Sequence, residues 1–178
     1  MKIFFSPKTQ NHSPKTFISR GHVIESPERA ERADILRTAA ENAGHTITEI
    51  FSEHHHSALD IHDEAYISFL KNGWQQWSIL DGSSDEIIPN VHPGRNMNAN
   101  PSAIVSAAGY YQADTACPIG EKTWEGAKAS ADTVIAAASN LLDRHKNNEH
   151  ENFVYSLCRP PGHHAYADQA GGFCFLNN

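Results

Sequence analysis

Apolar positions fall along this chain in two distinct rhythms. A short continuous run, KIFF at 2–5, reads as a buried strand, followed by a loop through Ser13, Pro14 and Gly21. SPERAERADILRTAAENAG carries start and stop signals for a helix: Ser26 as N-cap, Pro27 at the first position, Glu28 in the first turn and Gly44 as terminator. Its Ala30, Ala33, Leu36, Ala40 and Ala43 recur at helical spacing. TITEIF at 46–51 alternates and is β-branched, which predicts a second strand. HDEAYISFLKNGWQQW then returns to helical period, with Tyr66, Phe69, Leu70, Trp74 and Trp77 on one core-facing stripe.

Residues 78–101 are rich in Gly, Pro, Asn, Ser and Asp. A structureless stretch of that length points to a site or dimer contact, or to a disordered surface loop. Helical patterns resume at 101–113 and from Thr123, which can cap the Ala-rich TWEGAKASADTVIAAASNLLDRH. FVYSLC at 153–158 is a continuous β-prone run, as expected of a strand buried on both faces, and GFCFL near the end reads as the start of another. Strands alternate with helices and no two-residue hairpin turn shows, so the predicted class is α/β with a central parallel β-sheet flanked by helices.

Composition adds little. The 178 residues suit one domain. A formal net charge of -7 gives no basic footprint for nucleic acid or an anionic membrane surface, and no run of about 18 apolar residues predicts a membrane span. The N-terminal MKIFFSPKTQ is too short in apolar residues for a secretory segment, so a cytoplasmic protein is expected. Cys117, Cys158 and Cys174 lack metal or redox spacing and read as buried thiols.

The candidate chemistry lies in RPPGHHA. The loop follows a predicted strand, where open α/β sheets bind ligands. Neighbouring side chains diverge on a strand or a helix, so only an irregular backbone, such as Pro160, Pro161 and Gly162 supply, can aim His163 and His164 into one pocket. Paired imidazoles suit amide hydrolysis: one moves the proton between water and the leaving amine while the other stabilises the water or oxyanion. An electrophile, Zn²⁺ above all, is expected beside them. The histidines at 54–56 have no partner pattern and read as solvated, and neither they, His62 nor Asp168 complete an internal zinc site.

RPPGHHA followed by GGFCFLNN resembles the zinc-dependent deacetylase family of histone deacetylases and acetylpolyamine amidohydrolases. Pro27 and Arg29 in SPERAERADIL, His62 and Tyr66 in HDEAYISFL, and DTACPIGEKTWEGA support it. The resemblance implies an arginase/deacetylase-type fold and removal of acetyl groups from N-acetylated polyamines or small diamines. His164 looks like the general base and acid, and His163 its electrostatic partner. Gly172 and Phe173 look like tunnel wall, and Arg29 and Cys174 like the pocket around the acetyl end; core packing is the other reading of Phe173 and Cys174. The family's zinc ligands, an Asp-x-His pair and a later Asp, and its catalytic Tyr lie downstream of FCFLNN. No metal ligand is therefore expected within 1–178, which corresponds to the N-terminal part of a single deacetylase-like domain, truncated at its C-terminal end.

The loop at 78–100, Gly109-Tyr110-Tyr111 and Thr123-Trp124-Glu125 favour the polyamine branch, with a small cationic N-acetylated amine as substrate and a homodimer as assembly. Asp114 and Glu121 are candidates for attracting the distal ammonium, or ordinary surface charges; Val105 and Ala116 nearby are uncharged. The expected cofactor is Zn²⁺ or another divalent metal, with room for a structural K⁺. A protein acetyl-lysine deacetylase, or a non-catalytic binding module with the same half-fold, are the competing readings.

Overall fold

A computed structural model describes residues 1–51, 60–93, 101–147 and 153–178. The histidines at 54–56 and residues 94–100 of the long loop lie outside them. The three-stranded sheet has the order β4-β1-β5, all parallel, from β1 (Lys2–Phe5), β4 (Thr46–Glu49) and β5 (Val154–Leu157). Strand alternation explains the unbroken KIFF run. Ile3 and Phe5 pack on one side with Ala33 of α1 (Glu31–Asn42) and with Leu157, while Phe4 packs on the other with Ala136 and Ala137 of α4 (Thr123–Lys146). The central strand is thus apolar on both faces because each face is covered by a helix. The largest core cluster lies beside the sheet: Tyr66, Phe69 and Leu70 of α2 (Glu64–Ser78), Ile104 and Ala108 of α3 (Ile104–Tyr111), with Ile87, Ile119, Phe175 and Leu176.

Five local expectations fail, each for a physical reason. A hairpin joins β2 (Thr16–Ser19) and β3 (His22–Glu25) through a two-residue turn, where a plain loop is expected. Arg20 and Gly21 both take left-handed backbone (φ 51 and 81), the geometry that matches hairpin twist. Ser26 does not cap α1. Its hydroxyl accepts from the Glu28 amide at 3.3 Å, and the helix starts five residues later because Glu28 is drawn into the interior by Arg159. Thr123 does not cap α4 either; its Oγ1 accepts from Gly120 N at 2.9 Å and meets His12 Nδ1 at 3.1 Å.

β5 is not buried on both faces. It has β1 along one edge and, among the described residues, no strand along the other; only Leu157 is buried and Tyr155 is exposed. GFCFL is not a strand: Gly171 and Cys174 exchange backbone hydrogen bonds across a turn, and Phe175 and Leu176 enter the core beyond it. The described part of the long loop is well packed. Glu86, buried in it, accepts both the Lys15 and Thr16 amides, at 2.8 and 3.0 Å, and so anchors the base of the hairpin. The three cysteines are free, with Cys117 and Cys174 buried. No described helix is long and apolar enough to cross a membrane.

Candidate functional site

Two β-turns face one another at the carboxyl end of β5. The first is closed by Ala165 N donating to Gly162 O at 3.0 Å, which makes His163 and His164 its two central residues. The irregular backbone that the sequence calls for is therefore a tight turn. It brings the imidazoles to a centroid separation of 4.2 Å with planes at 54°, both rings exposed. Gly162 starts this turn because residues 176–178 pack onto it: a Cβ there would collide with Leu176 O and with the backbone N of Asn178. Asn177 Nδ2 also reaches the Gly162 and Ala165 carbonyls, both at 3.4 Å.

The second turn, Gly171–Cys174, is closed by Cys174 N to Gly171 O at 2.9 Å and Gly171 N to Cys174 O at 3.1 Å. Its tip is Gly172 and Phe173, both at positive φ (54 and 70). Gly172 packs against the His164 ring, where an added Cβ would stand 2.8 Å from Cδ2. Asp114 fixes this turn. Its carboxylate accepts from Ala116 N and from Gly172 N, each at 2.8 Å, so both oxygens are engaged with backbone. The intervening segment is tied to the end of α3 by Ala113 N to Ala170 O at 2.7 Å and Ala170 N to Tyr111 O at 2.8 Å.

A buried polar layer supports the two turns. His62 Nδ1 faces the Tyr166 and Ala167 carbonyls at 2.9 and 3.3 Å, so that nitrogen carries a proton, and Nε2 accepts the Asn177 amide at 3.0 Å. Its place in the sequence motif is thus a strut between two segments. Tyr66 donates its hydroxyl to Phe175 O at 2.6 Å, and burial pushes its pKa up. Arg159, at the foot of the histidine loop, donates Nε to Glu28 at 2.8 Å and Nη1 to Thr9 O at 2.9 Å; both members of this ion pair are buried. Beside it, His12 is enclosed by Thr123 and the edge of Phe175, and burial, with the Arg159 charge second, lowers its pKa to about 3.

The structure gathers His163, His164, Gly172, Phe173, Cys174 and Asp114 at these two turns. Cys174 Sγ lies 3.5 Å from Gly172 O, and burial raises its thiol pKa. Arg29 is elsewhere: its guanidinium is exposed and pairs with Glu25 at 3.2 Å. Glu121 lines a separate polar cleft with Lys15, Asp85 and Glu86. Asp168 is exposed. Sequence reasoning missed Phe17, whose ring stacks on Phe173, and the Glu28–Arg159–His12 cluster, because nothing local marks a residue whose partner is more than 100 positions away. Among the described residues no three His, Cys, Asp or Glu side chains gather as a metal ion requires. The two histidines alone do not fit a zinc centre.

The histone deacetylase domain profile matches residues 23–178. The chain belongs to that family. Acetylpolyamine amidohydrolase of Burkholderia pseudomallei (strain 1710b) is 37% identical over 179 residues, covering 100% of this chain and 50% of that protein. The enzyme of the same name from Mycoplana ramosa is 32% identical over 182 residues, covering 100% and 51%. The crystal structure of acetylpolyamine aminohydrolase from Burkholderia pseudomallei superposes with a TM-score of 0.88 at 36% identity, over all of this chain and 50% of that one. The HDA15 HD domain superposes with a TM-score of 0.64 at 17% identity, over 99% of this chain and 40% of that one, a likeness of fold. The chain spans about half the length of these acetylpolyamine relatives. Its fold is the arginase/deacetylase type, a parallel sheet between helices.

Proposed function

We propose that this chain carries the proton-transfer side of an amidohydrolase centre that removes acetyl groups from N-acetylated polyamines or small diamines. The observation that carries the proposal is the placing of His163 and His164 at the two central positions of one turn, rings 4.2 Å apart, against the glycine of a second turn. The names of the acetylpolyamine relatives support the substrate class.

His164, its ring seated on Gly172, takes a proton from the water that attacks the acetyl carbonyl. The new C–O bond gives a tetrahedral oxyanion, beside which His163 offers an N–H. His164 then returns the proton to the amine nitrogen as the C–N bond breaks, and the acetic acid so formed gives up its proton to the freed amine, leaving acetate and the ammonium. Zn²⁺ is part of the proposal, with ligands outside residues 1–178. The proposal includes a single deacetylase-like domain of which 1–178 is the N-terminal part, acting as a cytoplasmic homodimer. Phe173 and Gly172 would line the path of the alkyl chain, and Cys174 the acetyl end, as the sequence resemblance implies.

The test is acetate release by the full-length protein from N-acetylputrescine and from an acetyl-lysine peptide. The diamine should be preferred, and His164→Ala should lower kcat by about 10²- to 10⁴-fold without shifting Tm, since the ring is exposed. Near-normal turnover by His164→Ala would sink the assignment, and preference for the peptide would move the substrate to acetylated protein.

A further inference from the structure

Phe173 is a bulky residue in left-handed backbone space (φ 70), a conformation that persists only where surroundings hold it. What covers its ring is remote in sequence. Phe17 of β2 stacks on it, with centroids 5.4 Å apart and planes at 28°. Phe17 pairs across the hairpin with Ile24, so the two side chains share one face of the ribbon, and Ile24 is 49% exposed. Glu25, one residue on, points to the opposite face. Phe173, Phe17 and Ile24 form an apolar ridge beside the turn that seats His164.

We propose that Phe17 is a positioning and specificity-determining residue: it fixes Phe173 beside His164 and makes that wall of the substrate path apolar, so that the methylene stretch next to the acetamide lies along the ridge and a distal ammonium lies beyond it. This rests on the reading of the site as an amide-hydrolysing centre. A phenyl ring has two faces, and Phe17 covers one, so the substrate chain meets the other. An ammonium laid on the ridge would lose hydration without gaining a carboxylate there, because Phe17, Ile24 and Phe173 carry none and Glu25 points to the opposite face and pairs with Arg29. Methylene groups gain from the same contact.

The probes are N-acetylhexylamine and N-acetyl-1,5-diaminopentane, of similar length and differing in the terminal charge. In the full-length protein, Phe17→Glu should raise the diamine-to-monoamine ratio of kcat/KM about five- to tenfold, chiefly through KM, by placing a carboxylate on the ridge. Phe17→Tyr, which keeps the stack, should hold the ratio within about twofold. An unchanged ratio in Phe17→Glu overturns the proposal. If Phe17→Glu does not fold, Phe17→Ala must lower kcat/KM for the monoamine at least about fivefold, and no loss overturns it. Titration calorimetry with the same two amides separates this idea from the hydrolase reading. If the wild type cleaves neither amide, the hydrolase reading falls, yet a charge-dependent change in Kd ratio between wild type and Phe17→Glu still supports the ridge. Equal Kd ratios, or no binding of either amide, overturn it.

Discussion

Alanine at position 172 adds one atom to the site, and the structure says where that atom goes. Its Cβ would stand 2.8 Å from Cδ2 and 3.1 Å from Cγ of His164. Relaxed carbon–carbon contact needs about 3.6 Å, so the imidazole must retreat by about 0.8 Å. The ring is exposed and can swing away, which keeps the steric cost to stability small. The backbone adds its own penalty, since φ 54 costs alanine about 1 kcal/mol, or about 2–4 °C in Tm for a domain of this size. Catalysis is far less tolerant. A general base displaced by nearly 1 Å loses about 10²-fold in kcat. Gly171 supplies the internal control, because a Cβ there meets Ala113 Cβ at 3.5 Å, an ordinary contact. The assay is steady-state deacetylation by full-length Gly172→Ala and Gly171→Ala beside wild type, with Tm from calorimetry. If Gly172→Ala turns over within about threefold of wild type, or Gly171→Ala loses as much, the seating of His164 on Gly172 does not govern the chemistry.

Two further outcomes follow from the buried layer. His12, held at a pKa of about 3 against an ordinary 6.5, binds fewer protons folded than unfolded between those values. Its contribution is therefore complete above about pH 6.5 and is lost as pH falls, by about 1.4 kcal/mol per unit; urea midpoints from pH 7 to 4 should show this slope, His12→Asn should flatten it, and a flat wild-type profile would refute it. Arg159→Met leaves the Glu28 carboxylate buried without its main partner and should cost about 3–5 kcal/mol in chemical denaturation, while the Glu28→Gln/Arg159→Met double variant recovers at least about half; strict additivity would count against the pair.

What the sequence revealed and what it hid divide along the range of the interactions. KIFF, the Tyr66–Leu70 stripe and the Ala-rich run from Thr123 were legible because their partners lie on the same period or face, and the histidine pair because Pro160, Pro161 and Gly162 mark an irregular backbone locally. The start of α1 was misread because Glu28 answers to Arg159, 131 residues away, and not to the cap signal of Ser26. The hairpin was missed because its turn is Arg-Gly, without the asparagine or aspartate that usually announces a left-handed pair. GFCFL misled for the opposite reason. Its apolar run is real, but Gly172 and Phe173 turn the chain before Phe175 and Leu176 enter the core.

The place of β1 in the sheet bears on how the chain is made. Its neighbour β4 is complete by residue 49, so β1, α1 and β4 can pair early. Its other neighbour, β5, ends at residue 157. At a ribosomal pace of about 5–20 residues per second, the second edge of β1 waits roughly 5–20 seconds for its partner after β4 has emerged. Through that interval Lys2–Phe5 has an unpaired edge of the kind that templates association between chains, and the turn holding His163 and His164 lies further along the chain than the strand that closes that edge.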